Sequence, residues 1–326
     1  HLPLILIAAL AAAPLGAQST FDHDDPMIGT GGEGHTFPGA AAPFGMVQLS
    51  PDTDTGHVIR DSYKWAAGYR YSDPTIEGFS ATHFSGAGHS DLGDFLVMPT
   101  SGDAVPLEPG DVAKPGSGYR SRFNHASEVA TPGYYAVTLT DPAVRAEMTA
   151  GTRIGVHRYT FAPGKAAHLV LDLRSSLYNY PGKVLWASLR LMPDGTLVGA
   201  RETRGWAPDR KLYLAMRFST PLAGHAFIST EKDVAYRGFQ GPGRGTDAVA
   251  ERSGRALVAR LDFGALTCPL EVKIAISSVD EAGAVANLAS EPGDFDAVHA
   301  RTTAAWRAAL DVLENAAPVA MQKRVA

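Results

Sequence analysis

The chain has 326 residues, 45% of them hydrophobic and 19% charged, enough for one large folded domain or two medium ones. Its formal net charge of -5 gives no basic field to gather phosphates, which argues against nucleic acid as a partner. Cys268 is the single cysteine, so an internal disulfide and a thiolate metal cage are both excluded.

Residues 1–17 begin with an apolar run from Leu2 to Leu10 and pass through Ala11, Ala12 and Ala13 to Ala17, just ahead of the polar Gln18. This reads as a secretory signal with a small-residue cleavage site near Ala17, its basic start missing, and predicts export to the periplasm or beyond the cell. No later segment is long and apolar enough to span a bilayer.

From about Phe21 to Pro99 the chain is rich in loops. One stretch runs from Pro26 through Gly29, Gly31, Gly32, Gly34, His35 and Phe37 to Pro43-Phe44-Gly45. Its glycines permit positive φ and close backbone approach, so the loop can present amides and His35 to a ligand. It can equally be a tight connection that His35 caps. A phosphate loop is excluded, because no strand-to-helix context and no Gly-Lys-Ser/Thr ending accompany it. The next stretch, from Trp65 and Tyr69 to His83, Ser85, Asp91 and Asp94, interleaves aromatics, hydroxyls, histidines and carboxylates. That mixture suits sugar recognition: rings pack on the C–H face of a pyranose, and polar groups bond its hydroxyls. A metal cluster of His83, His89, Asp91 and Asp94 ranks below a polar network that pins these loops. Asp91 and Asp94, three residues apart, make a poor pair of hydrolytic carboxylates. The serine-elbow and His-Glu-x-x-His signatures are absent.

From Tyr134 onward, strands follow one another: residues 135–139, 168–173, 186–191, 212–218, 257–263 and 272–276 alternate or run apolar between Pro-Gly and Asp-Gly turns. Many short strands without intervening helices predict a mainly β fold, a large two-sheet antiparallel β-sandwich (a supersandwich) over 21–285. Trp186 is expected in the core, Trp206 in a turn-like stretch where packing ranks ahead of an exposed sugar platform, and Cys268 buried as a small hydrophobe. Asp294 is a good N-cap for one amphipathic helix carrying Phe295, Val298, Thr302 and Trp306 on a single face, with Trp306 as its anchor. This linker helix, within 286–326, is expected to lie back on the sandwich or lead into a helical domain.

Four ordered motifs carry a resemblance. They are Gly29-Thr30-Gly31-Gly32 with His35-Thr36-Phe37-Pro38-Gly39-Ala40, Pro43-Phe44-Gly45-Met46-Val47-Gln48, Gly78-Phe79-Ser80 with Thr82-His83 and Ser85-Gly86, and Gly93-Asp94-Phe95-Leu96-Val97-Met98-Pro99. Together they resemble the opening of glycoside hydrolase family 92. The resemblance implies an exo-acting, inverting, calcium-dependent α-mannosidase that pairs an amino-terminal sandwich with an (α/α)6 barrel around a shared cleft. It also implies that the acid, the base and most of the Ca2+ environment lie in the barrel, which is missing from this chain, so no catalytic residue or metal ligand is assigned here. The substrate-binding residues expected are Gly31, Gly32, His35, Phe37, Trp65, Tyr69, His83, Ser85 and Asp91. By the resemblance, the loop from Gly31 to Phe37 faces the non-reducing mannose and the segment from Trp65 to Tyr71 borders the leaving group. Many relatives have Trp-Asp-x-Cys-Ser before the Gly-Tyr-x-Tyr, where this chain has Tyr63-Lys64-Trp65-Ala66-Ala67, so linkage preference does not carry over. The partners implied are mannose-containing glycans and the chain's own C-terminal catalytic domain. On this reading the 326 residues alone are inactive. The rival readings are a stand-alone carbohydrate-binding sandwich without catalysis and a purely structural docking domain.

Overall fold

A computed structural model describes residues 20–54, 62–86, 91–114, 116–231, 250–310 and 312. The expected signal segment, His89 and the chain beyond 312 fall outside them.

Among the described residues, eighteen strands follow in chain order. They begin with β1 (Ala40–Ala41), β2 (Gln48–Asp52), β3 (Thr75–Ile76), β4 (Gly78–Ser80), β5 (Leu96–Ser101), β6 (Ser121–Arg122), β7 (Val129–Thr131), β8 (Tyr134–Leu139) and β9 (Val144–Ala150). They continue with β10 (Ile154–Phe161), β11 (Ala166–Asp172), β12 (Val184–Leu191), β13 (Leu197–Thr203), β14 (Arg210–Phe218), β15 (Gly224–Ser229), β16 (Glu251–Gly254), β17 (Leu257–Ala265) and β18 (Leu270–Ser277). Helices α1 (Glu281–Ser290) and α2 (Phe295–Leu310) close the described fold. One sheet of seven strands has the order β1-β2-β4-β5-β11-β17-β15, a second of nine runs β16-β12-β13-β14-β18-β10-β9-β8-β7, and β3 and β6 form a small two-stranded ribbon. Pairing is antiparallel throughout, for example Leu169 opposite Leu261 and Val156 opposite Lys273. This is a large two-sheet sandwich, and among the described residues there is no helical barrel.

Period-2 alternation decides which side chains meet. On β18, Leu270, Val272, Ile274 and Ile276 face the other sheet and join Leu169, Leu171, Leu257 and Phe79 in one buried core. The opposite side of the nine-stranded sheet carries Ile154, Val156, Val198 and Ala275, which are covered by Ala284 and Leu288 of α1 and Phe295 and Val298 of α2. Two helices therefore stand where sequence periodicity predicts one. The stripe of α1 is Ala284 and Leu288 within an alanine-rich segment, too weakly apolar to announce itself. Its N-cap is clear once seen, with the Asp280 carboxylate accepting from Gly283 N at 2.6 Å. Asp294 caps α2 as expected, accepting from Ala297 N at 3.0 Å, and Trp306 anchors the helix by donating Nε1 to the Ala41 carbonyl at 2.6 Å.

Three expected burials are corrected. Trp186 is half exposed, because Ala187 and Leu189 take the inward positions and a register shift separates Val184 from Trp186. Trp206 is 76% exposed at the tip of the β13–β14 hairpin, beyond the reach of either sheet. Cys268 is exposed in the β17–β18 turn.

Candidate functional site

The glycine-rich loop ahead of β1 folds back on itself through Thr30 N to Met27 O, Gly34 N to Gly31 O and Thr36 N to Gly29 O. Gly29 and Gly32 have φ of 83° and 60°, and a Cβ on Gly34 would stand 2.2 Å from the Gly29 carbonyl oxygen. Backbone contact that close leaves no room for a side chain. The tight turn puts His35 itself in the left-handed region, at φ 51°, an uncommon and strained setting for a side chain. The His35 ring meets the Tyr63 ring edge-on, with centroids 4.4 Å apart. Its Nε2 lies 3.3 Å from the Glu33 carboxylate, out of line for a hydrogen bond, and has no aligned partner.

Two main-chain bonds bind this loop to its neighbours. Tyr71 N donates to Thr30 O at 3.0 Å, joining the segment 62–73, and Gly86 N donates to His35 O at 2.8 Å, joining the β4–β5 loop that carries Ser85. Gly31, Gly32, His35 and Ser85 are thereby gathered on one rim. Phe37 leans on the His83 ring at 5.3 Å and, with Asp24, Asp25, Thr36 and Ser85, lines an open hollow beside that rim. Burial, then the neighbouring Asp25, raises the Asp24 carboxyl above its usual range. A ring, two hydroxyls and two carboxylates in one hollow can hold a pyranose by its apolar face and its hydroxyls. Asp24 and Asp25 escaped sequence reasoning because they lie ahead of every motif.

The segment 62–73 departs from expectation. Trp65 is drawn inward: its Nε1 donates to Asp73 Oδ2 at 2.7 Å, and the same oxygen accepts from Thr53 Oγ1 at 2.7 Å. Tyr63, 46% exposed, is the ring of this segment that stands against His35. Tyr69 is 2% exposed and lies inside; its hydroxyl donates to Glu128, which also accepts from Tyr135 Oη at 2.5 Å and bonds His125 Nδ1 at 2.5 Å. Burial and the Glu128 charge push the Tyr69 phenol far up, so it stays a donor.

His83 is likewise an interior residue. Its Nδ1 bonds the Gln48 carbonyl at 2.8 Å, and its Nε2 lies 3.0 Å from Asp52 Oδ1 and 3.2 Å from Ser80 Oγ. A carbonyl only accepts, so Nδ1 carries a proton. Serine and aspartate both meet Nε2, which leaves no path for a serine–histidine–aspartate relay. Gly68 closes over this group, its absent Cβ falling 2.1 Å from Asp52 Oδ1.

Asp91 accepts from Ala207 N at 3.0 Å and braces a loop. Asp94 is fully buried, with Arg210 at 2.8 Å, Arg201 at 3.4 Å and Thr82 at 2.6 Å. Burial opposes its charge, but the two guanidiniums and the hydroxyl together hold the carboxyl below its usual range. A pair so engaged cannot serve as acid and base. Among the described residues, no group of three or more His, Cys, Asp or Glu is placed to hold a metal ion.

Comparison with known proteins agrees with this architecture. Residues 25–277 match the model of the glycosyl hydrolase family 92 N-terminal domain. A family GH92 α-mannosidase from Bacteroides thetaiotaomicron, solved with mannoimidazole, superposes with a TM-score of 0.79 at 38% identity, over 89% of this chain and 37% of that one. An inverting GH92 mannosidase from the same organism has the same fold, with a TM-score of 0.70 at 22% identity, over 89% of this chain and 36% of its own. An uncharacterized secreted glycosidase of Arthroderma benhamiae is 25% identical over 95% of this chain and 41% of its own length. The chain thus spans little more than a third of the mannosidases it matches. It belongs to glycosyl hydrolase family 92, as that family's N-terminal domain.

Proposed function

We propose that this chain supplies one wall of the active-site cleft of an exported, inverting exo-α-mannosidase acting on mannose-containing glycans. The observation that carries the reading is the rim itself: Gly31, Gly32, His35 and Ser85 are drawn together by two cross-loop main-chain bonds beside a hollow lined by Phe37 and carboxylates. In this reading the hollow takes the non-reducing mannose, and Tyr63, backed by the pinned Trp65, borders the leaving group. Tyr69, His83 and Asp91 act from beneath, holding the loops in register. Inversion requires a general acid and a separate base that activates water. We place both, together with the calcium that the family resemblance implies, on the opposing wall outside these residues.

An apolar face supports an opposing wall. Phe44 is fully exposed at φ 57°, and Ile28, Met46 and Phe84 are 57, 38 and 49% exposed. Phe44 shares one hollow with Phe37 and Ile28 shares another, and apolar side chains exposed beside a polar hollow suit contact with the chain's own catalytic domain. Export rests on the apolar opening at 1–17 and on the secreted description of the fungal relative. Among the described residues, no helix is long and apolar enough to cross a membrane.

The test compares residues 20–326 alone with the intact protein that carries them, on 4-nitrophenyl α-mannoside with calcium present. The chain alone should show no turnover and the intact protein should cleave with inversion. Turnover by the chain alone, or no α-mannosidase activity in the intact protein, would overturn the reading.

A further inference from the structure

Beyond the rim, the β11–β12 loop (173–183) and the tip of the β13–β14 hairpin present a second set of rings. Tyr178 stands half exposed at φ 50°, a backbone region that bulky side chains avoid. Burial, then the neighbouring Tyr63, raises the Tyr178 phenol above its usual range. Tyr180, 36% exposed, donates its hydroxyl to the Arg204 carbonyl at 2.9 Å, and Arg204 N donates to Lys183 O at 2.9 Å. Two residues on stands Trp206, the most exposed tryptophan among the described residues, at 76%.

These rings are held, not left to drift. Leu177 N donates to Leu92 O at 2.8 Å, and a Cβ on Gly93 would collide with Leu177 N at 2.7 Å. Asp91 fixes Ala207 N on the far side of the same junction. Three loops are interlocked, and the lock preserves a strained tyrosine where glycine or asparagine would sit without strain. Strain that the surroundings enforce commonly marks a working position. Arg204, Asp209 and Lys211 flank Trp206 along the chain, the Tyr180 hydroxyl ties the two loops together at Arg204, and the Tyr63 that neighbours Tyr178 also meets the His35 ring. Separate rings with polar surroundings suit sugar faces better than a packed protein surface.

We infer that Tyr178 and Trp206 form an aromatic platform for the sugar units that follow the residue seated in the hollow. This rests on the cleft-wall reading above. The platform is outside the hollow, so the terminal mannose alone does not reach it.

The variants are Trp206→Ala and Tyr178→Gly, the latter able to keep the left-handed backbone without strain. In the intact protein, kcat/KM on an α-mannotetraose should fall about tenfold for each variant while 4-nitrophenyl α-mannoside stays within about twofold. Melting temperature should hold for Trp206→Ala and hold or rise for Tyr178→Gly. Equal losses on both substrates, or no loss on either in an active protein, would overturn the platform but leave the cleft reading standing. An intact protein inactive on every mannoside would sink the cleft reading instead. The platform then stands or falls on titrating residues 20–326 with mannotetraose: saturable change in tryptophan emission, lost in Trp206→Ala, is expected, and no change overturns it. Protection of Trp206 from acrylamide quenching in the sugar-free intact protein would assign the surface to polypeptide and also overturn it.

Discussion

The strand region from Tyr134 to Ser277 and the loop region from Thr20 to Gly93 differ in what decides a residue's place. In the strands, direction is periodic: once Val272 faces the core, Ile274 and Ile276 must follow, and Ala275 must face the helices. In the loops, direction is set by single main-chain bonds and by missing Cβ atoms, and no period connects one residue with the next. Residue type therefore indicates what a loop can recognise without indicating which of its members reach the surface. His35 and His83 have the same side chain in neighbouring motifs, yet one lines the rim and the other is locked between Asp52, Ser80 and Gln48.

The largest expected effect tests whether close approach governs the loop. Gly34→Ala puts a Cβ 2.2 Å from the Gly29 carbonyl and should destabilise the domain by about 3 kcal/mol or more in chemical denaturation. Gly32→Ala meets only open space and has to bear just a positive φ of 60°, a cost of about 1 kcal/mol. Equal losses would mean that backbone conformation, not contact, sets the turn.

The two histidines should separate next. His83→Ala strands the Asp52 carboxylate, itself 0% exposed, and should cost about 3 kcal/mol, lowering stability and activity together. His35→Ala should spare the melting temperature within a few degrees and lower kcat/KM of the intact enzyme about tenfold. A His35 variant that unfolds as readily as the His83 variant would return His35 to the role of a loop cap.

Much of the fold was legible because strands advertise themselves twice, by alternation and by turn chemistry; the strands around Leu169, Leu214 and Ile274 all lie where the pattern put them. Strands such as β9 and β10 were overlooked, since Arg145, Glu147, His157 and Arg158 break the apolar run although their backbones pair fully. The rim was half legible. Its glycines and His35 are carried by motif, but the inward turn of Trp65 depends on Asp73 and Thr53, contacts that no local pattern encodes. Trp186 and Trp206 fail in the same direction: one was taken as core and the other as packed in its turn, and a register shift and a hairpin tip decided otherwise.

Inside the strand region, a buried histidine gives a pH test. Burial pushes His157 down to about 3, so the folded state refuses a proton that the unfolded chain accepts below about 6.5. Its stability contribution is thus full above 6.5 and is lost as pH falls, by about 2 kcal/mol at pH 5. Glu77 acts oppositely. Burial raises it to about 7 despite Arg120, so it favours the folded state as pH falls from 7 towards 4.5. The two slopes offset each other in the native protein. His157→Gln should expose the Glu77 slope, giving a domain more stable at pH 5 than at pH 7 by thermal melts; an unchanged profile would show that His157 is not the sensor.

The smallest effect bears most directly on the site. Trp65→Phe removes one bond to the Asp73 carboxylate and should cost about 1.5 kcal/mol of stability with little change in KM. Tyr63→Ala, at an exposed ring, should leave the melting point in place and raise KM for an α-linked mannobiose. Such a split would show that the leaving-group border runs through Tyr63, with Trp65 as its brace. The reverse split would mean that Trp65 swings outward when sugar binds. In that case the relatives' tryptophan and this chain's Trp65 would serve one purpose from different positions, and the hydrogen bond to Asp73 would be the latch that opens.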